Sequence, residues 1–270
     1  MLVPAVPMDT ITSRHNPIVK VFRALAQGRG DGRLLLEGAR LVEEALGSGV
    51  SIATAAVSPA LLARETDVSR LVAGLEAAGA HVVSVPPAVM AIMSPVQTPS
   101  GIVAIAERAP ASLETAFAKP PQLVLVLAHL QDPGNVGAVI RTADAAGASG
   151  VVTCLQTADP FGWKALRGAM GSTFRLPIAA HHDAAVAIAA ARDHGLRVVA
   201  ATPRAGRSMY DVDLAGPTAI LMGSERAGLD EDVAQLADER VSIPMRPPVE
   251  SLNVAVSAAI VLYEAFRQRR

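Results

Sequence analysis

The stretch LVLVLAHLQDPGNVGAVIRTADAAG, residues 123–147, reads as a strand, a turn and a helix in succession. Leu123 to Ala128 is an unbroken apolar run, the pattern of a strand buried on both faces in a parallel sheet covered by helices. Asp132-Pro133-Gly134-Asn135 is turn chemistry that ends in a good N-cap, Asn135. Val136, Val139, Ile140, Ala143 and Gly147 then recur at helical spacing as one apolar stripe facing the sheet. Arg141 lies well off that stripe, so packing does not account for it. Its plain reading is a solvated arginine paired with Asp144 three residues on, and the plain reading of Asn135 is a cap.

The same alternation extends in both directions. Further strands are expected at Gly150 to Leu155, Arg197 to Thr202, Thr218 to Met222 and Glu239 to Ile243, separated by helical segments. Upstream, Leu34 to Leu36 is a short strand, followed by a helix with Leu41, Val42, Ala45 and Leu46 at helical spacing and Gly47 and Gly49 to stop it. Strands at Ile52 to Val57, His81 to Val85 and Gly101 to Ala106, with a helix around Val68 to Ala78, complete a first α/β unit of ordinary domain size. The expected organisation is therefore a domain over residues 1–108, a proline-punctuated linker over 109–121 and a second domain over 122–270.

Composition agrees with this class. Of the 270 residues 51% are hydrophobic and only 3% aromatic, which suits thin, closely packed α/β layers. The net charge of -1 confines any nucleic-acid contact to local patches. A single cysteine, Cys154, excludes an internal disulfide and argues against a zinc site built by the protein alone. The start MLVPAVPMDT has no basic segment followed by an apolar one, and no apolar run is long enough to span a membrane. The expectation is a soluble cytoplasmic protein without a metal.

In open parallel sheets ligands collect beyond the carboxyl ends of the strands. Two more loops hold unusual sequence there. In AILMGSERAGLDEDV, residues 219–233, the strand leaves through Gly223, which permits an unusual φ or close approach of a ligand, and Glu225 follows at the strand edge. An ordinary strand-to-helix turn accounts for this loop equally well. In IPMRPPVESLNVAVSAAIVLYEA, residues 243–265, Pro247 and Pro248 are expected to force an extended path. Ser251 is placed to cap, and Leu252, Val256, Ala259, Tyr263 and Phe266 are expected to form the buried face of the last helix. Asn253 is the odd residue, since asparagine is a poor choice inside a first turn unless it bonds to something. No G-x-G-x-x-G, P-loop, H-E-x-x-H or nucleophile elbow is present, so dehydrogenase, NTPase and hydrolase readings lose their usual support.

Taken together, DPGNVGAVIRTADAAG (132–147), LMGSERAGL (221–229) and the 243–265 stretch resemble, in order and spacing, the three motifs of the SpoU family of RNA 2′-O-ribose methyltransferases. The resemblance covers residues 122–270. It implies a parallel-sheet α/β domain with a trefoil knot, a homodimer, and S-adenosyl-L-methionine as methyl donor. It places donor contacts at Gly223, Ile243 and Leu252, with Met222, Ser224 and Met245 beside them. It places catalytic and substrate-side roles on Asn135, Arg141, Glu225, Ser251 and Asn253. The first domain, with LLLEGARLVEEAL (34–46), looks like the RNA substrate-binding domain found ahead of the catalytic domain in many members, similar to ribosomal-protein RNA-binding folds. One departure is Arg167-Gly168-Ala169-Met170-Gly171, where many members carry serine in place of Ala169; Arg167 is retained as an RNA contact.

Residues 14–33 carry Arg14, Lys20, Arg23, Arg29 and Arg33 against Asp31. This segment is expected either to neutralise RNA phosphates or to be a solvated amphipathic helix over Ile18 to Leu25. The extra amino-terminal domain makes ribosomal RNA, 23S in particular, the preferred substrate, with transfer RNA second. The rival readings are a non-catalytic RNA-binding or ribosome-assembly protein on the same fold and a doubly wound enzyme using another nucleotide.

Overall fold

The computed structural model describes residues 8–29, 32–120, 122–203, 206–224 and 228–270. In chain order the elements are β1 (Asp9–Thr10), α1 (Pro17–Ala26), β2 (Arg33–Glu37), α2 (Ala39–Gly47), β3 (Ser51–Val57), α3 (Pro59–Arg64), α4 (Thr66–Ala77), β4 (His81–Ser84), α5 (Pro87–Met93) and β5 (Ile102–Glu107). They continue with α6 (Leu113–Phe117), β6 (Leu123–Leu127), α7 (Pro133–Ala145), β7 (Gly150–Cys154), α8 (Trp163–Ala169), α9 (Ser172–Arg175), β8 (Ile178–His182) and α10 (Ala184–Asp193). The last are β9 (Arg197–Ala201), β10 (Arg207–Ser208), a 3-10 turn at Met209–Asp211, β11 (Thr218–Met222), α11 (Glu231–Gln235), β12 (Glu239–Ser242) and α12 (Val254–Gln268). The chain forms two compact units, residues 1–109 with 161–174, and residues 110–160 with 175–270.

The first unit is built on a mixed five-stranded sheet in the order β1-β4-β3-β5-β2, with β5 antiparallel to both β3 and β2. Alternation along β2 sends Leu34 and Leu36 into a core shared with α2 and α4, while Leu35 faces a second core shared with α1 and α5. A bare outer edge on β2 would leave backbone groups open to pairing. Helix α8 lies against β2, with Leu166 buried in the same core. Residues 161–174 fall inside the span expected to be the second domain, so this segment is a difference from the sequence reading. Helical spacing shows that α8 is amphipathic and says nothing of which sheet its apolar face meets.

The second unit is a seven-stranded, wholly parallel sheet in the order β10-β12-β9-β11-β6-β7-β8. All residues of β6, β7 and β11 are buried, as their apolar runs require. Residues 110–120 of the passage expected to be a linker are part of this unit. Ala116 and Phe117 on α6 are completely buried in its core, and Gly150 leaves room for the Ala116 carbonyl, which a Cβ there would meet at 2.3 Å. Strands β1, β8 and β10 were not expected, being short or interrupted by histidines and small residues.

Three local expectations are corrected. The N-cap of α7 is Asp132, whose Oδ1 accepts from the Asn135 amide at 2.8 Å, so Asn135 lies within the first turn. Gly147 is exposed with φ +74°, ending α7 instead of extending its stripe. The passage through Pro247 and Pro248 turns: the Val249 amide donates to the Arg246 carbonyl at 3.2 Å.

Candidate active site

Because the strands of the second unit all run one way, the loops after β9, β11 and β12 emerge on one side. They enclose a cleft of about 140 Å³. All six residues expected at the methyl donor line it: Met222, Gly223 and Ser224 from the β11 end, Ile243 and Met245 from the β12 end, and Leu252 ahead of α12. Spacing had not pointed to Thr202 and Pro203 after β9 or Ser257 on α12, which also line the cleft. The signal for Thr202 was its place just beyond a strand's carboxyl end.

The β11 loop folds back on itself. Ser224 and Gly228 exchange amide-to-carbonyl hydrogen bonds of 2.8 and 3.1 Å, and a Cβ on Gly223 would meet the Gly228 carbonyl carbon at 2.2 Å. Gly223 is thus required by close backbone approach. The loop then presents main-chain groups to the cleft, which suits a ligand held largely by backbone. Glu225, expected on the substrate side, lies outside the described residues.

The α12 start answers what Asn253 bonds to. Asn253, and not Ser251, is the N-cap: its Oδ1 accepts from the amides of Ala255 at 2.9 Å and Val256 at 3.3 Å. Its Nδ2 donates to Asn135 Oδ1 at 3.3 Å. One side chain therefore caps α12 and ties it to the first turn of α7. With the helix starting at Val254, its buried residues are Val254, Ala258, Val261, Leu262, Glu264 and Ala265. Val256 and Tyr263, expected to be buried, are 48% and 50% exposed. Ser251 is exposed and still lines the cleft.

Arg141 is exposed on α7. The pairing with Asp144 does not form, because that carboxylate accepts from Arg175 Nε at 2.9 Å. Among the described residues Arg141 has no ion-pair partner, so its charge remains available to an anion. Cys154 offers no nucleophile: burial, with the Asp183 charge adding to it, pushes its thiol up to about 12. No three His, Cys, Asp or Glu side chains gather to hold a metal among the described residues, and no helix there is long and apolar enough to cross a membrane.

In the first unit, Arg14, Lys20 and Arg23 line one groove of about 600 Å³ together with His15, Gln27 and Ser94. Of the two expectations for this segment, the amphipathic helix is present. Helix α1 is amphipathic, burying Val19, Phe22 and Leu25, and it leaves Lys20 and Arg23 exposed. Arg29 is hydrogen-bonded to Gln27 at the margin, and Arg167 pairs with Glu37 at 3.8 Å and does not line the groove.

A cleft among strand-end loops of a wholly parallel sheet places the second unit in the class of α/β folds that bind their ligands beyond the strand ends. Residues 122–263 match the SpoU rRNA Methylase family, and residues 16–104 match the MRM3-like substrate binding domain. The chain belongs to the SpoU family of S-adenosyl-L-methionine-dependent RNA 2′-O-ribose methyltransferases. It is 36% identical over 266 residues to an uncharacterized tRNA/rRNA methyltransferase of Synechocystis, covering 96% of this chain and 94% of that one. It is 33% identical over 260 residues to the 23S rRNA (guanosine(2553)-2′-O)-methyltransferase RlmP of Bacillus subtilis, covering 95% and 98%. The crystal structure of an AdoMet-bound rRNA methyltransferase from Sinorhizobium meliloti superposes with a TM-score of 0.85 at 34% identity, covering 96% and 98%.

Proposed function

We propose that this protein methylates a ribose 2′-hydroxyl of 23S ribosomal RNA, binding the donor in the cleft among the β9, β11 and β12 loops. The observation that carries the reading is the Asn253–Asn135 hydrogen bond, which brings the α7 turn bearing Asn135 against the loop that lines the cleft. S-adenosyl-L-methionine, when bound, supplies a methyl group on a sulfonium. The residues present fit it, with apolar walls from Met222, Ile243, Met245 and Leu252 and main-chain groups from Gly223 and Gly228. Transfer requires the ribose oxygen in line with that methyl, so much of the rate comes from positioning. Asn135, Ser251 and Asn253 serve to place the ribose at the mouth of the cleft, and the family resemblance gives Glu225 a substrate-side role as well.

The 2′-hydroxyl is a weak acid whose proton passes to solvent water as the new carbon–oxygen bond forms and the sulfonium becomes a neutral thioether. A guanidinium stays protonated, so Arg141 acts as a clamp that orients a phosphate and stabilises developing alkoxide charge instead of removing the proton. In the first unit Arg14, Lys20 and Arg23 would neutralise RNA phosphates, with Arg29 and Arg167 as weaker contributors because both already have protein partners. The exposed Val256 and Tyr263 on α12 support a homodimer in which a second copy covers that face. The family resemblance supports a trefoil knot in the same unit and a cytoplasmic enzyme.

Relatedness to RlmP of Bacillus subtilis supports 23S RNA over transfer RNA. The test is to map 2′-O-methyl positions in RNA from cells with and without this protein. Loss of one 23S position is the expected result. Loss from transfer RNA alone would replace the substrate, and no loss anywhere would favour a non-catalytic RNA-binding role.

A further inference from the structure

The cleft depends on a loop whose two feet are fixed differently. The near foot of the β11 loop is held by the sheet, where the last rung is the Ala128 amide donating to the Met222 carbonyl at 2.9 Å. Beyond that rung β6 and β11 part company. The very next residue of the β6 loop, His129, has φ +60°, a left-handed conformation uncommon for a residue with a side chain. Its imidazole Nδ1 lies 3.3 Å from Asp230 Oδ2, at the far foot of the β11 loop.

Asp230 occupies the N-cap position of α11, where an aspartate ordinarily accepts from its own helix's amides. It makes no side-chain cap bond there. The carboxylate instead faces the imidazole of a loop about a hundred residues earlier in the chain. From His129 the chain runs directly to Asp132 and α7, which carries Asn135 and Arg141. The His129–Asp230 contact therefore joins the cofactor-lining loop to the turn that bears the substrate-side residues, as Asn253 joins α12 to that turn from the other direction.

We infer that His129 is a positioning residue for methyl transfer, acting through Asp230 to hold the β11 loop in the shape that binds the methyl donor. The inference rests on the methyltransferase reading of the same cleft. His129 and Asp230 have side chains 31% and 57% exposed, so the pair adds little to folding stability. Its effect falls on the loop, and hence on cofactor affinity, before it falls on the fold or on the chemical step.

The experiment measures S-adenosyl-L-methionine affinity by calorimetry on the full chain for wild type, His129→Asn, Asp230→Ala and the double variant. Asparagine tolerates the left-handed backbone, so His129→Asn removes the contact without straining the turn. Each single variant should weaken binding about fivefold, the upper range for an exposed pair, with the melting temperature unchanged and the rate at saturating donor within about twofold. The double variant should be no weaker than either single one. Single variants that bind like wild type, or a double variant whose losses multiply, would overturn the tie alone. A wild-type protein that binds no donor would overturn the methyltransferase reading and the tie with it.

Discussion

Helices α7 and α12 pack against each other, and each starts at a side-chain cap, Asp132 for one and Asn253 for the other. In α7 the buried residues Val136, Val139, Ile140 and Ala143 alternate with Arg141, Thr142 and Asp144, so one register alone buries the apolar stripe. In α12, VAVSAAIVLYEAF is apolar on almost every side, and several registers satisfy helical spacing equally well. Its orientation is set by the cap and by contact with α7. The face left over, with Val256 and Tyr263, is the one spacing suggested would be inside. A helix with enough polar residues to mark its outer side states its own orientation, whereas a more apolar one takes it from its neighbours.

Truncation separates the two most strongly. Ile140→Ala opens a cavity at a completely buried site and should lower unfolding free energy by about 2–5 kcal/mol, read by denaturant melts. Val256→Ala removes a comparable group from the exposed face of α12 and should cost far less. Any loss it does cause should shrink on dilution, because it would report a second copy, whose contribution fades as the copies separate, and not the chain's own core. One residue along from Ile140, Arg141→Ala should leave melting and donor affinity unchanged while lowering methylation about 100- to 1000-fold, measured as methyl transfer to RNA at saturating donor. Lost donor affinity in that variant would move Arg141 from the RNA side to the cofactor side.

The link between the helices is the next target. Asn253→Ala removes both the cap of α12 and the bond to Asn135. The cap alone is worth about 1 kcal/mol, and Asn253→Ser should restore most of it because serine caps well. Serine cannot reach as an amide donor toward Asn135, so stability should recover in that variant while activity does not. Recovery of both would reduce Asn253 to a cap.

How far the sequence could be read follows the same physics. Long parallel strands such as β6 and β11 were legible because burial on both faces demands continuous apolar runs. The cleft residues were legible through their motifs at strand ends. The cap of α12 was not, since Ser251 and Asn253 are both good caps and the choice rests on a partner 118 residues away. The placement of α6 and α8 was opaque for a related reason: Phe117 and Leu166 are ordinary apolar residues, and only the folded chain shows which core receives each. His129 carried no signal, because a histidine after a strand is unremarkable until its backbone turns left-handed beside Asp230.

The buried face of α12 differs from that of α7 in one further respect, for it includes a carboxylate. Glu264 is buried, accepting from Arg267 Nη2 at 2.7 Å and Nε at 2.9 Å and from Gln268 at 2.7 Å. The hydrogen bonds from Arg267 hold its carboxyl below the usual range, against the opposing effect of burial, with Gln268 and the Arg267 charge assisting. A carboxyl lowered in the folded state binds its proton more readily once unfolded, so it stabilises the fold above its unfolded value. That stabilisation is lost as pH falls below about 4.3 and through the folded value. The wild-type melting temperature should therefore drop on acidification from about pH 5 to pH 3, and Glu264→Gln should flatten part of that drop. Ile140→Ala, whose site on α7 is purely apolar, should shift the whole curve without changing its slope. An unchanged acid slope in Glu264→Gln would mean that the carboxylate's partners persist in the unfolded chain, and α12 would then owe its orientation to the cap and to α7 alone.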